Sequence, residues 1–259
     1  MTRVLVVGAC GRMGQSLVRA IEASGDLRLG AALEREGHPS QGTPIAGAVR
    51  LGSDVGAACA AADVGIDFSS PASTLALLAA AQTRGLPLVV GTTGLDAEME
   101  AKIAAAAVKL AIVRASNFSI GATVLMELVA EAARRLEGYE IDVLEMHHDQ
   151  KKDAPSGTAL SLARSAAEAR GQQLEQATVF ARHGITGARD PKSIGVQALR
   201  LGDSVGEHTV YFAGPGERVE LSHRALSREN FTAGALRAAR WLVGRAPGLY
   251  AMRDVLEKT

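Results

Sequence analysis

Cysteine, aromatic residues and net charge are what this 259-residue chain has least of. Its two cysteines, Cys10 and Cys59, cannot make a disulfide framework, and no C-x-x-C pair is present. Nine aromatic residues are few, and 28 basic residues balance 28 acidic ones to a net charge of zero. Without a cationic face or rings on which bases could stack, a nucleic-acid partner is not expected. Long apolar runs are missing too. Stretches such as Leu75 to Ala81 fall far short of the roughly 18 residues that argue for a membrane span. Near the N-terminus, the apolar run Val4 to Val7 stops at Gly8, Arg12 follows, and no small-x-small cleavage site appears. A buried first strand explains it better than a signal peptide. These absences predict a cytoplasmic protein with neither membrane nor nucleic acid as partner.

Glycine is plentiful: 28 residues, about one in nine, against a usual share of about 7%. Glycines stand where short β-branched runs end. Val4–Val7, Leu27–Leu33, Val64–Phe68, Pro87–Val90 and Leu110–Val113 read as continuous apolar strands, separated by helical segments. That rhythm predicts a doubly wound α/β domain on a parallel sheet, buried on both faces. Beyond Asn117 the rhythm changes. Ile141 to Met146 alternates apolar and acidic residues, and Ile194–Leu201, Val205–Ala213 and Arg218–Leu226 are strand-like runs between glycine turns. They predict a second α+β domain on an open mixed sheet, before a last helix from Phe231 to Val243. The expected division is 1–118, completed by 229–259, for dinucleotide binding, and 119–228 for substrate binding and oligomerisation.

Gly8, Gly11 and Gly14 space a G-x-x-G-x-x-G turn between the first strand and the first helix, with Cys10 where a dinucleotide fingerprint usually has its second glycine. Such a turn brings backbone close to a pyrophosphate at a helix N-terminus. Glu34 ends the second strand about 20 residues on, where a carboxylate can accept from ribose hydroxyls. Arg35 beside it suits a 2′-phosphate, so the pair predicts tolerance of NADH or NADPH. An ordinary glycine turn and a surface Glu-Arg pair are the plainer alternatives.

The densest chemistry runs from Glu145 to Thr158. His147 titrates near neutrality in its ordinary state, and Lys151 can donate a proton if burial or neighbouring cations lower its affinity for one. Pro155-Ser156-Gly157-Thr158 reads as a helix start that either caps itself or receives an anion. No third ligand stands near His147 and His148 at a metal-binding spacing, so no metal is expected. The combination fits an acidic small molecule. His38, His183, His208 and His223 lack such company and are expected to be structural or exposed.

These segments together resemble the dihydrodipicolinate reductase family, also called 4-hydroxy-tetrahydrodipicolinate reductase. The resemblance rests on Gly11-Arg12-Met13-Gly14, Leu33-Glu34-Arg35-Glu36-Gly37, Gly91-Thr92-Thr93-Gly94, Ser116-Asn117-Phe118-Ser119 and His147-His148 with Lys151 and Asp153 to Thr158. Val205 to Thr209 and Met252 to Leu256 extend it over nearly the whole chain. Cys10 departs from the glycine of many members, with a thiol small enough to leave cofactor binding intact. The resemblance implies a Rossmann-like domain and a homotetramer joined through the open sheet. It implies that Gly8, Ala9, Cys10, Gly11, Arg12 and Met13 hold the pyrophosphate, Glu34 the adenosine ribose and Arg35 the extra phosphate of NADPH. Gly91, Thr92, Thr93 and Ala115, Ser116, Asn117, Phe118 would line the nicotinamide side. His147 would be the acid/base and Lys151 the proton donor, with His148, Gly157 and Thr158 binding a dicarboxylate substrate. The implied reaction is NAD(P)H-dependent reduction of 4-hydroxy-tetrahydrodipicolinate to tetrahydrodipicolinate, in lysine and diaminopimelate biosynthesis. A nucleotide sensor without turnover, or a reductase of another carbonyl acid, are the alternatives.

Overall fold

Alternation along the first strand decides the architecture of the first unit. In β1 (Thr2–Val7), Val4 and Val6 point to one face, Leu5 and Val7 to the other, and all four are buried. Both faces must therefore be covered. The computed structural model, which describes residues 1–257, shows how. The chain continues through α1 (Arg12–Glu22), β2 (Leu27–Leu33), β3 (Pro44–Ala46), β4 (Val49–Gly52), α2 (Val55–Ala60), β5 (Val64–Asp67), α3 (Pro71–Arg84), β6 (Leu88–Val90), α4 (Ala97–Ala106) and β7 (Ala111–Arg114).

The second unit holds α5 (Ile120–Arg135), β8 (Glu140–His147), α6 (Gly157–Ala169), α7 (Leu174–Ala177), β9 (Thr178–Val179), β10 (Ile194–Arg200), β11 (Gly206–Gly214) and β12 (Glu217–Ala225). The chain then returns to the first unit with α8 (Glu229–Leu242), β13 (Gly248–Tyr250) and α9 (Met252–Leu256). The compact units are Met1–Ile120 with the segment beginning at Glu229, and Gly121–Arg228.

The first unit is built on an eight-stranded sheet, ordered β13-β7-β6-β5-β1-β2-β4-β3 and parallel except for the β3–β4 pair. Val4 and Val6 pack with Leu17, Ile21, Ala238 and Leu242 on one face. Leu5 and Val7 pack with Leu77, Leu78 and Ile103 on the other. The chain winds one way from β1 to β2 and the other way to β5, so a crevice opens at the carboxyl ends of these strands. Strands β3, β4 and β13, three or four residues each, are too short to show a period in the sequence.

The second unit has a five-stranded mixed sheet, ordered β12-β11-β8-β10-β9. Its β8–β10 pair is parallel and its β8–β11 and β11–β12 pairs antiparallel. Ile141 and Val143 of β8, Val196 and Phe212 pack on Val129 and Leu162 of the helices. The buried positions of β8 are Ile141, Val143, Glu145 and His147. The expected apolar-acidic alternation is thus corrected: Glu145 lies on the core side, because the period of two continues through it.

Candidate active site

The first candidate site is made largely of backbone. Gly8 has φ +76°, where a side chain would be strained, and a Cβ there would meet the Phe68 carbonyl at 3.0 Å. A Cβ on Gly14 would lie 2.1 Å from the Gly8 carbonyl oxygen, so only glycine lets α1 start this close to the turn. The turn is closed by a Gly11 N–H bond to Gly8 (3.0 Å) and by Gly8 and Ala9 N–H bonds to Leu33 (3.0 and 3.1 Å). Gly11 caps α1 without any side-chain hydrogen bond to its first amides. That geometry suits an anion.

A cleft of about 510 Å³ opens beside this turn, lined by Gly8, Gly11, Glu34, Arg35, Ser69 and Ser73 among others. Glu34 accepts a hydrogen bond from the Cys10 N–H at 2.9 Å, which ties the end of β2 to the glycine turn. Arg35 is exposed at the cleft. Burial and the Glu34 charge push the Cys10 thiol up, so it stays a thiol at neutral pH.

At the rim, buried Asp67 ends β5 and accepts from the Ser69 hydroxyl (2.5 Å) and the Thr74 hydroxyl (2.6 Å). Burial pushes its carboxyl up against those hydrogen bonds. A Cβ on Gly91 would lie 2.3 Å from the Phe68 ring, and Phe68 meets Phe118 edge-on at 5.3 Å. Gly91 and Phe118 are therefore packed against Phe68 behind the cleft and Thr92 is buried, whereas Thr93 and Ser116 are exposed. Ala115 and Asn117 are half-buried.

The second candidate site, in the other unit, is made of side chains. Glu145 has 0% exposure and accepts from the Ser156 N–H, from Arg200 Nη1 and from Arg200 Nη2, each at 2.9 Å. Its Oε2 lies 2.5 Å from Nδ1 of His147. Burial pushes Glu145 up, but the bonds from Arg200, His147 and Ser156 outweigh it and hold the carboxyl below its ordinary range. Burial pulls His147 below its ordinary value, despite the opposing carboxylate.

His208 meets His147 edge-on at 5.2 Å, and its Nε2 is 3.1 Å from the Ser156 hydroxyl. Burial, with His147 beside it, pulls His208 down to about 4. The expectation that His208 lacks company is thereby corrected. Likewise His223 is half-buried, pairs in register with His208 and lies over Gly121. Strand pairing brings these rings together from distant sequence.

Lys151 stands in the loop after β8, with its ammonium 2.9 Å from both carboxylate oxygens of Asp153. That pairing holds Asp153 below its ordinary range. Ser156 caps α6, its hydroxyl accepting from the Ala159 N–H at 3.1 Å. Gly157 is exposed, and a Cβ there would meet nothing within 4 Å. His148 follows the strand, half-buried, with its N–H bonded to Ser204. One short region thus gathers His147, Lys151 and the start of α6. Among the described residues, no group of three His, Cys, Asp or Glu side chains could hold a metal ion.

Family models match both parts of the chain. The family model described as the N-terminus of dihydrodipicolinate reductase matches residues 2–118, and that for its C-terminus matches 121–256. The chain belongs to the dihydrodipicolinate reductase family. It is 50% identical over 266 residues to a 4-hydroxy-tetrahydrodipicolinate reductase of Myxococcus xanthus, covering 99% of this chain and 98% of that one. It is 48% identical over 264 residues to the protein of the same name from Anaeromyxobacter dehalogenans, with coverage of 99% and 98%. A solved structure, the dipicolinate-bound dihydrodipicolinate reductase from Paenisporosarcina sp. TG-14, superposes with a TM-score of 0.79 at 26% identity, covering 97% of each chain. This shared fold is the Rossmann-like parallel sheet with a second mixed-sheet domain.

For a dihydrodipicolinate reductase family member, the sequence reading missed Glu145 as a partner of His147, together with Arg200 and His208. A signal existed for Glu145: Ile141, Val143, Glu145 and His147 share one parity along the strand. Arg200 and His208 carry no local signal, since only the pairings of β10 and β11 with β8 bring them there.

Proposed function

We propose that this chain reduces 4-hydroxy-tetrahydrodipicolinate to tetrahydrodipicolinate with NADH or NADPH, as a cytoplasmic homotetramer in lysine and diaminopimelate biosynthesis. A hydride and a proton are added to the substrate and water leaves. The observation that carries the reading is the set of groups around His147: an acid/base, an ammonium and a helix start with open space over Gly157, in a chain whose relatives bear that name.

The residues present fit a reduced dinucleotide, because Gly8, Gly11 and Gly14 clear the space that side chains would fill. Gly8 to Met13 would hold the pyrophosphate, Glu34 the ribose and Arg35 a 2′-phosphate; Gly91 to Thr93 and Ala115 to Phe118 would line the nicotinamide side. When bound, the cofactor supplies the hydride.

The chain's own residues manage the dicarboxylate and the proton. His148, Gly157 and Thr158 would bind the substrate, with open space over Gly157 for a carboxylate. Lys151 must leave Asp153 to place its ammonium on the reducing ring, where it offsets electron density and delivers a proton. His147 shuttles that proton. A dicarboxylate that competes for the ammonium drives the exchange.

The test follows nucleotide oxidation at 340 nm with freshly made substrate. Turnover with that substrate and none with other carbonyl acids is expected; no turnover with it would overturn the reading. Pyridine-2,6-dicarboxylate should inhibit competitively, and Gly157→Val should weaken that inhibition without changing NADH affinity. Equal inhibition of both proteins would make the start of α6 a cap and nothing more.

A further inference from the structure

Four contacts converge on one carboxylate in the second unit. Oε1 of Glu145 accepts from the Ser156 N–H and from Arg200 Nη2; Oε2 accepts from Arg200 Nη1 and faces His147 Nδ1. An ionised carboxylate has about four lone-pair directions and no proton to donate. A peptide N–H and a guanidinium always donate, so three directions are taken by obligate donors. The fourth faces an imidazole, which can present either a proton or a lone pair. Only the proton makes a hydrogen bond there.

The groups packed around the His147 ring are Glu145 on its own strand, Arg200 on β10, His208 on β11 and Lys151 in the following loop. Of these, Glu145 alone presents an acceptor to Nδ1. Nε2 lies against Gly206, where a Cβ would stand 2.9 Å away. The glycine leaves that nitrogen room.

We propose that Glu145 is a positioning residue, whose filled carboxylate holds His147 as the Nδ1–H tautomer so that Nε2 exchanges the proton with substrate. This rests on the reductase reading above. Glu145 is wholly buried and offers substrate no surface, so it acts through the imidazole. When Nε2 takes a proton, the same carboxylate compensates the imidazolium. Arg200 keeps the carboxylate from turning, and its bond to the Asp153 carbonyl (2.6 Å) ties this hub to the loop that carries Lys151.

Nitrogen-15 NMR of the free protein reads the tautomer directly, without cofactor or substrate. The expected result is Nδ1–H on His147; an Nε2–H imidazole overturns the proposal, even if variants fail to fold. Glu145→Gln, which presents an amide, should abolish that preference. It should also lower kcat roughly 10²-fold or more, the scale of lost acid/base help, with NADH affinity unchanged. Glu145→Asp should restore part of the rate. In a His147→Ala background, Glu145→Gln should cost less than about threefold further, because residues acting as a unit are not additive. An equal cost in both backgrounds would make Glu145 a mere structural support. If wild-type protein lacked reductase activity while showing the Nδ1–H tautomer, the functional reading would fall and the tautomer assignment would stand.

Discussion

The two candidate sites are held by opposite means. In the first unit the turn of Gly8, Gly11 and Gly14 works by removing side chains, and its fixed points are backbone bonds to Leu33 and Gly8. In the second, Glu145, His147, Arg200, Ser156 and His208 form a connected set of buried or half-buried polar groups. A site made of absent side chains tolerates change at its exposed rim. A site made of buried groups that hydrogen-bond one another does not, because removing one partner strands another away from water. The second site should therefore be the more fragile of the two, to mutation and to pH.

The largest expected effect lies there. Lys151→Ala and His147→Ala should each lower turnover about 10²–10⁴-fold, with NADH affinity in calorimetric titration little changed. Near-normal turnover in the Lys151 variant would remove that residue from the chemistry.

Next comes pH. His208 protonates near 6.5 when unfolded but only near 4 when folded, so between these values the unfolded chain binds more protons. Stability present above about pH 6.5 should be lost as pH falls toward 4, by up to about 3 kcal/mol from this residue. Urea titrations at pH 7.5 and 4.5 measure the loss, and His208→Asn should flatten it. An unchanged slope in that variant would contradict the assignment.

The smallest expected effect is at the rim of the first site. Arg35→Ala should weaken NADPH more than NADH, by about 1.5–3 kcal/mol if charged bonds to the 2′-phosphate are lost. Equal losses would show that the exposed guanidinium does not read that phosphate.

Legibility follows the same division. The glycine turn could be read from sequence because each of its residues is local and its physical demand, room for backbone, names one amino acid. Phe68 over Gly91 could not, since 23 positions separate a ring from the hydrogen atom it covers. In the second unit, His147 and Lys151 stood out by residue type, and Ser156 by its place before a helix. Glu145 stood in the same segment, but an acidic residue is seldom buried without a partner. Its burial is tolerated because Arg200, from 55 residues downstream, supplies the compensating charge.

The sequence by itself determined the winding of the first sheet, the glycine turn, the long strands of the second unit and the cluster after β8. Apolar periodicity and backbone freedom are properties of neighbouring residues. Only the tertiary structure decided which polar groups share a buried space. The parallel pairing of β8 with β10 brings Arg200 to Glu145, and the antiparallel pairing with β11 brings His208 to His147. A buried charge is stable only beside its partner, and strand register, set by the whole core, fixes where that partner stands.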